Sequence, residues 1–214
     1  VPGDVDRLAR SGARWRRMNV PMALTIGRLF LAPVYFVLFH VGRSGNEWLV
    51  GSTWAVFVLI EVSDLLDGHL ARKLRLESEA GRVLDPLADS VSRLTYFVCF
   101  TGSGIMPAWI LLVLVYRDVG VSYIRVMLSR SGVMMPARMS GKVKAWVYAV
   151  SGGAGTAVFT VQALDILAEI RDVLNGFAFV MFLAAAGVAL WSLGDYALAL
   201  LHGSNDEKKR RKSS

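Results

Sequence analysis

One cysteine, Cys99, occurs in the 214 residues, which excludes a disulfide framework and leaves core packing as the role of that side chain. No internal repeat is evident, and low complexity is confined to the tail "NDEKKRRKSS", which reads as a disordered polybasic end. A cleavable signal peptide is not evident either, because the first apolar run follows a charged arm and is long enough to span a bilayer. The three histidines, His40, His69 and His202, lie near the ends of apolar runs, where polar residues are routine at a membrane interface. Acidic residues are outnumbered, 17 against 24 Lys and Arg, for a net charge of +7. Such a charge can serve nucleic acid, but these basic residues flank apolar runs instead of forming one face of a soluble domain. Anionic lipid headgroups are therefore the expected partners, and nucleic acid is not.

What the chain has in surplus is hydrocarbon. Hydrophobic residues make up 54% and the mean hydropathy is +0.46, above what a soluble domain of this size carries. Six runs are near the length of about 20 residues needed to cross about 30 Å of hydrocarbon. They cover approximately 20–41, 48–68, 84–103, 107–128, 145–164 and 175–201. Short connections between them predict an all-α integral membrane protein, a six-transmembrane-helix bundle. Glycines and alanines in "SGGAGTA" and "LAAAGVAL" would let the last two helices approach closely. The arm at 1–18 suits a short interfacial helix, with Val5, Leu8, Gly12 and Trp15 at helical spacing among arginines. The expected organisation is thus an arm (1–18), a six-helix domain (19–202) and a polybasic tail (203–214).

Lys and Arg in short loops are retained on the cytoplasmic side. Five lie in the N-terminal arm (Arg7, Arg10, Arg14, Arg16, Arg17) and four between the second and third runs (Arg72, Lys73, Arg75, Arg82). Four more lie between the fourth and fifth (Arg130, Arg138, Lys142, Lys144), and five in the tail, Lys208 to Lys212. Only Arg43 and Arg171 fall on the other side, which predicts that both termini are cytoplasmic. Arg28, Arg93, Arg117 and Arg125 lie inside the apolar runs.

Ionisable groups at membrane depth are costly, and by default they mark function. Here they concentrate in "SDLLDGHLARKLRLESEAGRVLDPLADS". Asp64 and Asp67 are three apart, and Asp85 and Asp89 four apart, so each pair shares one helical face. If the two helices are antiparallel neighbours, the four carboxylates converge and repel, and a cation must sit among them. Hard oxygen donors select Mg²⁺, Mn²⁺ or Ca²⁺, and four aspartates suit two metal ions better than one. The plainer possibility is pairing with nearby arginines such as Arg72, Arg82 and Arg93. Small residues tip the balance: Gly68, Ala71 and Gly81 leave room for a bulky ligand at the backbone, and Arg72 offers a fork to a phosphate. Together these residues describe a diphosphate pocket. Glu61, one turn before Asp64, is placed to support it from behind. Asp195, in the sixth run, has no evident role.

Read as D-x-x-D-G-x-x-A-R-x(8)-G-x-x-x-D-x-x-x-D, the residues Asp64, Asp67, Gly68, Ala71, Arg72, Gly81, Asp85 and Asp89 resemble the signature of the CDP-alcohol phosphotransferases. The resemblance implies a metal-dependent enzyme that displaces CMP from a CDP-linked lipid by attack of an alcohol. It implies that Asp64, Asp67, Asp85 and Asp89 hold two Mg²⁺ or Mn²⁺ ions and that Asp89 also acts as general base. Gly68, Ala71, Arg72, Ser78 and Gly81 would contact the CDP-lipid. A homodimer in a bacterial inner membrane, with its active site at the cytoplasmic face, is also implied.

Two further stretches, "NVPMALTIGRLFLAP" and "SGKVKAW", with "YRDVGVSYIR" between them, are similar to the phosphatidylglycerophosphate synthases of that family. They imply CDP-diacylglycerol and glycerol 3-phosphate as substrates, with Arg117, Arg125, Lys142 and Lys144 on the acceptor phosphate. Read without the resemblance, Arg117 pairs with Asp118, and Lys142 and Lys144 anchor a helix at the interface. Asp118 stands where that subfamily usually has Glu, and Ser90 where it usually has Lys, which opens the acceptor to inositol phosphate or serine. Two other classes compete. An intramembrane prenyltransferase typically has more helices and two separated aspartate motifs. A divalent-cation transporter would continue its polar residues across the membrane, yet "LVGSTWAVFVLI" and "RLTYFVCFTGSG" are mostly apolar or small.

Overall fold

A computed structural model describes residues 23–74, 79–130 and 139–213; at 67–74, 79–83, 85, 126–130 and 201–213 it gives the helical backbone alone. The expected interfacial helix at 1–18 lies outside the described residues. Six α-helices follow one another, and there is no strand among the described residues. They are α1 (Ala23–Gly42), α2 (Glu47–Leu74), α3 (Glu79–Gly102), α4 (Ala108–Arg130), α5 (Met139–Leu164) and α6 (Arg171–Ser213).

Four stretches, Ala23–Gly42, Glu47–Leu66, Met139–Leu164 and Ala168–Leu200, are long and apolar enough to cross a membrane. The helices α3 and α4 are also long enough, at 24 and 23 residues, but carry Asp89, Arg93, Arg117, Asp118 and Arg125 within them. The 43 residues of α6 would extend about 65 Å at about 1.5 Å per residue, well beyond the hydrocarbon, and they take in the basic tail to Ser213.

Local chemistry sets the helix ends. The Asn46 side chain accepts from the backbone N–H of Trp48 (2.9 Å) and Leu49 (3.4 Å) and so caps α2, with Glu47 in the first turn. Gly104 closes α3 with φ +77°, where a residue without Cβ adopts the left-handed conformation at little cost.

The chain divides into two compact units, Val1–Tyr96 and Phe97–Ser214. In the first, α1 buries Thr25, Arg28, Ala32, Tyr35 and Phe39 at alternating steps of three and four, one face of a helix. On α2 the buried stripe Val50, Thr53, Phe57 and Ile60 leads directly to Asp64. Contacts between Asp64 and Arg93 and between Glu61 and Tyr96 run in opposite directions along the two helices, so α2 and α3 are antiparallel. Tyr96 joins the stripes, packing edge-on against Tyr35 (6.2 Å) and Phe57 (5.6 Å).

In the second unit α6 packs on both α4 and α5. Ser140 with Asp195 and Ser151 with Met181 make α5 antiparallel to α6, and Arg117 with Ser192 and Arg125 with Tyr196 make α4 parallel to it. A Cβ built on Gly155 would meet the Phe100 ring at 2.4 Å, so this position requires glycine for close packing.

The distribution of polarity is inverted relative to a soluble protein. Arg28, Arg93, Arg117, Asp118 and Lys144 are all at most 5% exposed, while Phe30, Trp48, Tyr116, Tyr123, Trp146 and Val173 are each at least 64% exposed. An apolar exterior over charged interior stripes fits a hydrocarbon solvent.

Candidate active site

The first charged cluster is built on the inward stripes of α1, α2 and α3. Asp64 continues the buried stripe of α2, and Asp89, Arg93 and Tyr96 recur on one face of α3 at steps of four and three. Arg28 of α1, 36 positions from Asp64, donates from Nη1 to Asp64 Oδ1. Arg93 Nη2 donates to Asp64 Oδ2 at 2.7 Å, and its Nε lies 2.9 Å from Asp89 Oδ1. Glu61 Oε2 lies 3.8 Å from Arg93 Nη2, and its Oε1 accepts from the Tyr96 hydroxyl at 3.3 Å. Ser92 Oγ donates to the Arg28 carbonyl at 3.4 Å, tying α3 to α1.

The structure thus joins Asp64 and Asp89 through a shared arginine. The plainer expectation of arginine pairing holds for Arg93, and Arg28 adds a partner that adjacency in sequence does not suggest. The side chains of Asp67, Gly68, Ala71, Arg72, Gly81 and Asp85, and all of Ser78, lie outside the described residues. The backbone places Asp67 one turn along α2 from Asp64, and Asp85 one turn back along α3 from Asp89.

Among the described residues no group of three or more His, Cys, Asp or Glu forms a metal cluster. The donor chemistry nonetheless fits a divalent ion. Among the described side chains, Glu61, Asp64 and Asp89 face Arg28 and Arg93, one negative charge in excess when all are ionised. Hard carboxylate oxygens carrying negative charge are what Mg²⁺ and Mn²⁺ take.

The second cluster lies on α4, α5 and α6. Lys144 Nζ donates to Asp118 Oδ1 at 2.7 Å, and Arg117 Nη1 donates to the same oxygen at 2.9 Å. Arg117 Nη2 donates to Ser192 Oγ at 2.7 Å, and Lys144 sits 4.7 Å from the Tyr148 ring centroid. The buried Arg117 Nε and Asp118 Oδ2 have no hydrogen-bond partner among the described residues. Arg125 Nη2 donates to the Tyr196 hydroxyl at 2.7 Å, with its guanidinium 5.1 Å from the same ring. Lys142 is exposed on α5.

Arg117, Arg125 and Lys144 are therefore gathered within one unit. Lys144 is a buried helical residue and not the interfacial anchor that its place before an apolar run suggests, because Asp118 compensates its charge. Asp195, unexplained by sequence, accepts from Ser140 Oγ at 2.8 Å. Sequence does not single out Tyr96, Ser192 or Tyr196; the one available signal is their helical spacing from charged residues within apolar runs.

The CDP-alcohol phosphatidyltransferase family model matches residues 18–191, and the chain belongs to that family. It is a transferase of phospholipid biosynthesis with membrane helices, in a family that is generally metal-dependent. Among its relatives is the CDP-diacylglycerol–glycerol-3-phosphate 3-phosphatidyltransferase of Pseudomonas fluorescens, 30% identical over 91% of this chain and 97% of that protein. The protein of the same description from Bacillus subtilis is 30% identical over 62% of this chain and 74% of its own length. A probable phosphatidylglycerophosphate synthase of Mycobacterium tuberculosis is 31% identical over 65% of this chain, and the match spans 66% of that relative. A putative cardiolipin synthase of Mycobacterium bovis is 39% identical over 48% of this chain and 47% of its own length.

Proposed function

We propose that this protein transfers the phosphatidyl group of CDP-diacylglycerol to glycerol 3-phosphate, forming phosphatidylglycerophosphate and releasing CMP. The observation that carries the reading is the joining of Asp64 and Asp89, the two ends of the eight-residue signature, on facing stripes of α2 and α3. The Pseudomonas relative, similar over nearly the whole of both chains, supports the choice of acceptor.

In this reading a hydroxyl of glycerol 3-phosphate attacks the phosphorus that bears the diacylglycerol. A new P–O bond forms, the P–O bond to CMP breaks, and the hydroxyl proton passes to the Asp89 carboxylate. Asp64, Asp67, Asp85 and Asp89 would hold two divalent ions, Mg²⁺ or Mn²⁺. When bound, these supply charge neutralisation on the diphosphate oxygens. Gly68, Ala71, Arg72, Ser78 and Gly81 contact the CDP-lipid. Arg125 and Lys142 contact the acceptor phosphate, and Arg117 and Lys144, with one positive charge over Asp118, provide a favourable field for an anion. The membrane arrangement that suits this chemistry has six spans, the domain at 19–202, an interfacial arm before it and a polybasic tail after it. Both termini and the reaction centre are at the cytoplasmic face of a bacterial inner membrane, and the protein is a homodimer.

A second reading keeps the chemistry and changes the alcohol. The Mycobacterium bovis relative and the departures at Asp118 and Ser90 favour it, with inositol phosphate, serine or a lipid alcohol as acceptor. Metal-dependent CMP release by purified protein, compared across these acceptors and glycerol 3-phosphate, separates the two. Absence of release with glycerol 3-phosphate, alongside release with another alcohol, overturns the first.

A further inference from the structure

We infer that Arg93 is a positioning residue that holds Asp64 and Asp89 in their reactive geometry through a single guanidinium. This rests on the proposed roles of those two aspartates and goes beyond them, because Arg93 lies outside the signature. One planar group reaches both: Nη2 to Asp64 at 2.7 Å on α2, and Nε to Asp89 at 2.9 Å one turn back on α3. Because the two contacts use different nitrogens of one rigid planar group, the relative placement of the two carboxylates follows from the placement of Arg93. A lysine, with one ammonium on a flexible stem, cannot impose that constraint.

Arg93 is itself fixed. It is 3% exposed, and Glu61 stands 3.8 Å from its Nη2 and is in turn held by the buried Tyr96 hydroxyl. Five side chains from two helices thus form a chain, Tyr96 to Glu61 to Arg93 to the two aspartates. Arg28 grips the free side of Asp64, so that aspartate is oriented from both oxygens. Hydrogen-bonded supports of this kind are commonly worth about 10- to 100-fold in metal affinity or activity.

The competing explanation is that Arg93 only balances charge among carboxylates. The double variant Glu61→Gln/Arg93→Met separates the two, because it removes one charge of each sign and leaves the local balance intact while breaking the bridge. The full chain, purified in lipid nanodiscs, is titrated with Mn²⁺ and the unbound ion is read by electron paramagnetic resonance; kcat and KM for CDP-diacylglycerol are measured alongside. Positioning predicts Mn²⁺ affinity and kcat each lower by about 10- to 100-fold, with KM for the lipid within about threefold of the parent. Arg93→Lys keeps the charge in a single-headed form and is expected to lose at least about tenfold in both quantities, which decides the matter if the double variant does not fold. Parental Mn²⁺ affinity and kcat in either variant overturn the inference. Asp89→Asn is run in parallel: full turnover there defeats the underlying reading. An inactive Asp89→Asn beside a fully active Arg93 variant defeats the positioning role alone.

Discussion

The two buried charge clusters of this protein are built from the same materials and end with opposite deficits. On α1, α2 and α3, three carboxylates meet two arginines; on α4, α5 and α6, Arg117 and Lys144 share one oxygen of Asp118. Among the described side chains the first carries one negative charge in excess and the second one positive charge in excess. A buried charge without a partner is costly, at several kcal/mol for an isolated ion. The sign of each excess suits the ligand proposed for it: cations in the first, an anion in the second. A phosphatidyl transfer that uses divalent ions and a phosphorylated alcohol requires one of each.

Breaking the first cluster has the largest expected effect. Asp89→Asn removes the proposed proton acceptor and should cut kcat by about 10²- to 10⁴-fold while CDP-lipid binding is largely kept; single-turnover CMP release with a parallel binding measurement checks both. Next comes the fulcrum of the second cluster. Asp118→Ala leaves Arg117 and Lys144 buried without their carboxylate, and should cost about 3–5 kcal/mol, read as a lower unfolding temperature in detergent. Charge imbalance can be told from packing by Gly155→Ala, which adds no charge but drives a methyl into the Phe100 ring, at about 1–3 kcal/mol. The smallest expected effect sharpens the comparison at its exposed edge. Tyr196→Phe removes the acceptor of the Arg125 hydrogen bond, worth about 1 kcal/mol, and should raise KM for glycerol 3-phosphate by about fivefold with kcat nearly unchanged.

Much of the fold is legible in the chain because hydrophobic length is a strong signal. All six helices lie where six apolar runs fall, and α1, α2 and α4 agree with them at most ends to within about three residues. The misjudged edges have a common cause. The helix α5 begins at Met139, six residues before the apolar run, because Lys144 reads as a loop cation until Asp118 is seen to neutralise it across 26 positions. Likewise α2 carries on through Arg72 and Lys73 to Leu74, and α3 takes in Arg82. Charge marks where hydrocarbon ends, not where a helix ends.

Spacing within α2 and α3 made the carboxylate pairs readable in the same way. It was silent on what binds them, since Arg28 and Asp64 meet only after α1 has folded back along α2 and α3. The second cluster was legible as residue types but not as an arrangement. The alternatives for Arg117 and Lys144, ion pair or phosphate ligand, differ in partners that sequence does not display. Ser192 and Tyr196 carry no polar pattern of their own within α6 and became visible only through what they touch.

The most direct measurement is CMP release by purified protein from CDP-diacylglycerol, with and without Mg²⁺ or Mn²⁺, across a panel of alcohol acceptors. Release is expected to require the divalent ion, to be fastest with glycerol 3-phosphate and to vanish in Asp89→Asn. Release that proceeds without a divalent ion, or that persists undiminished in Asp89→Asn, would contradict that expectation.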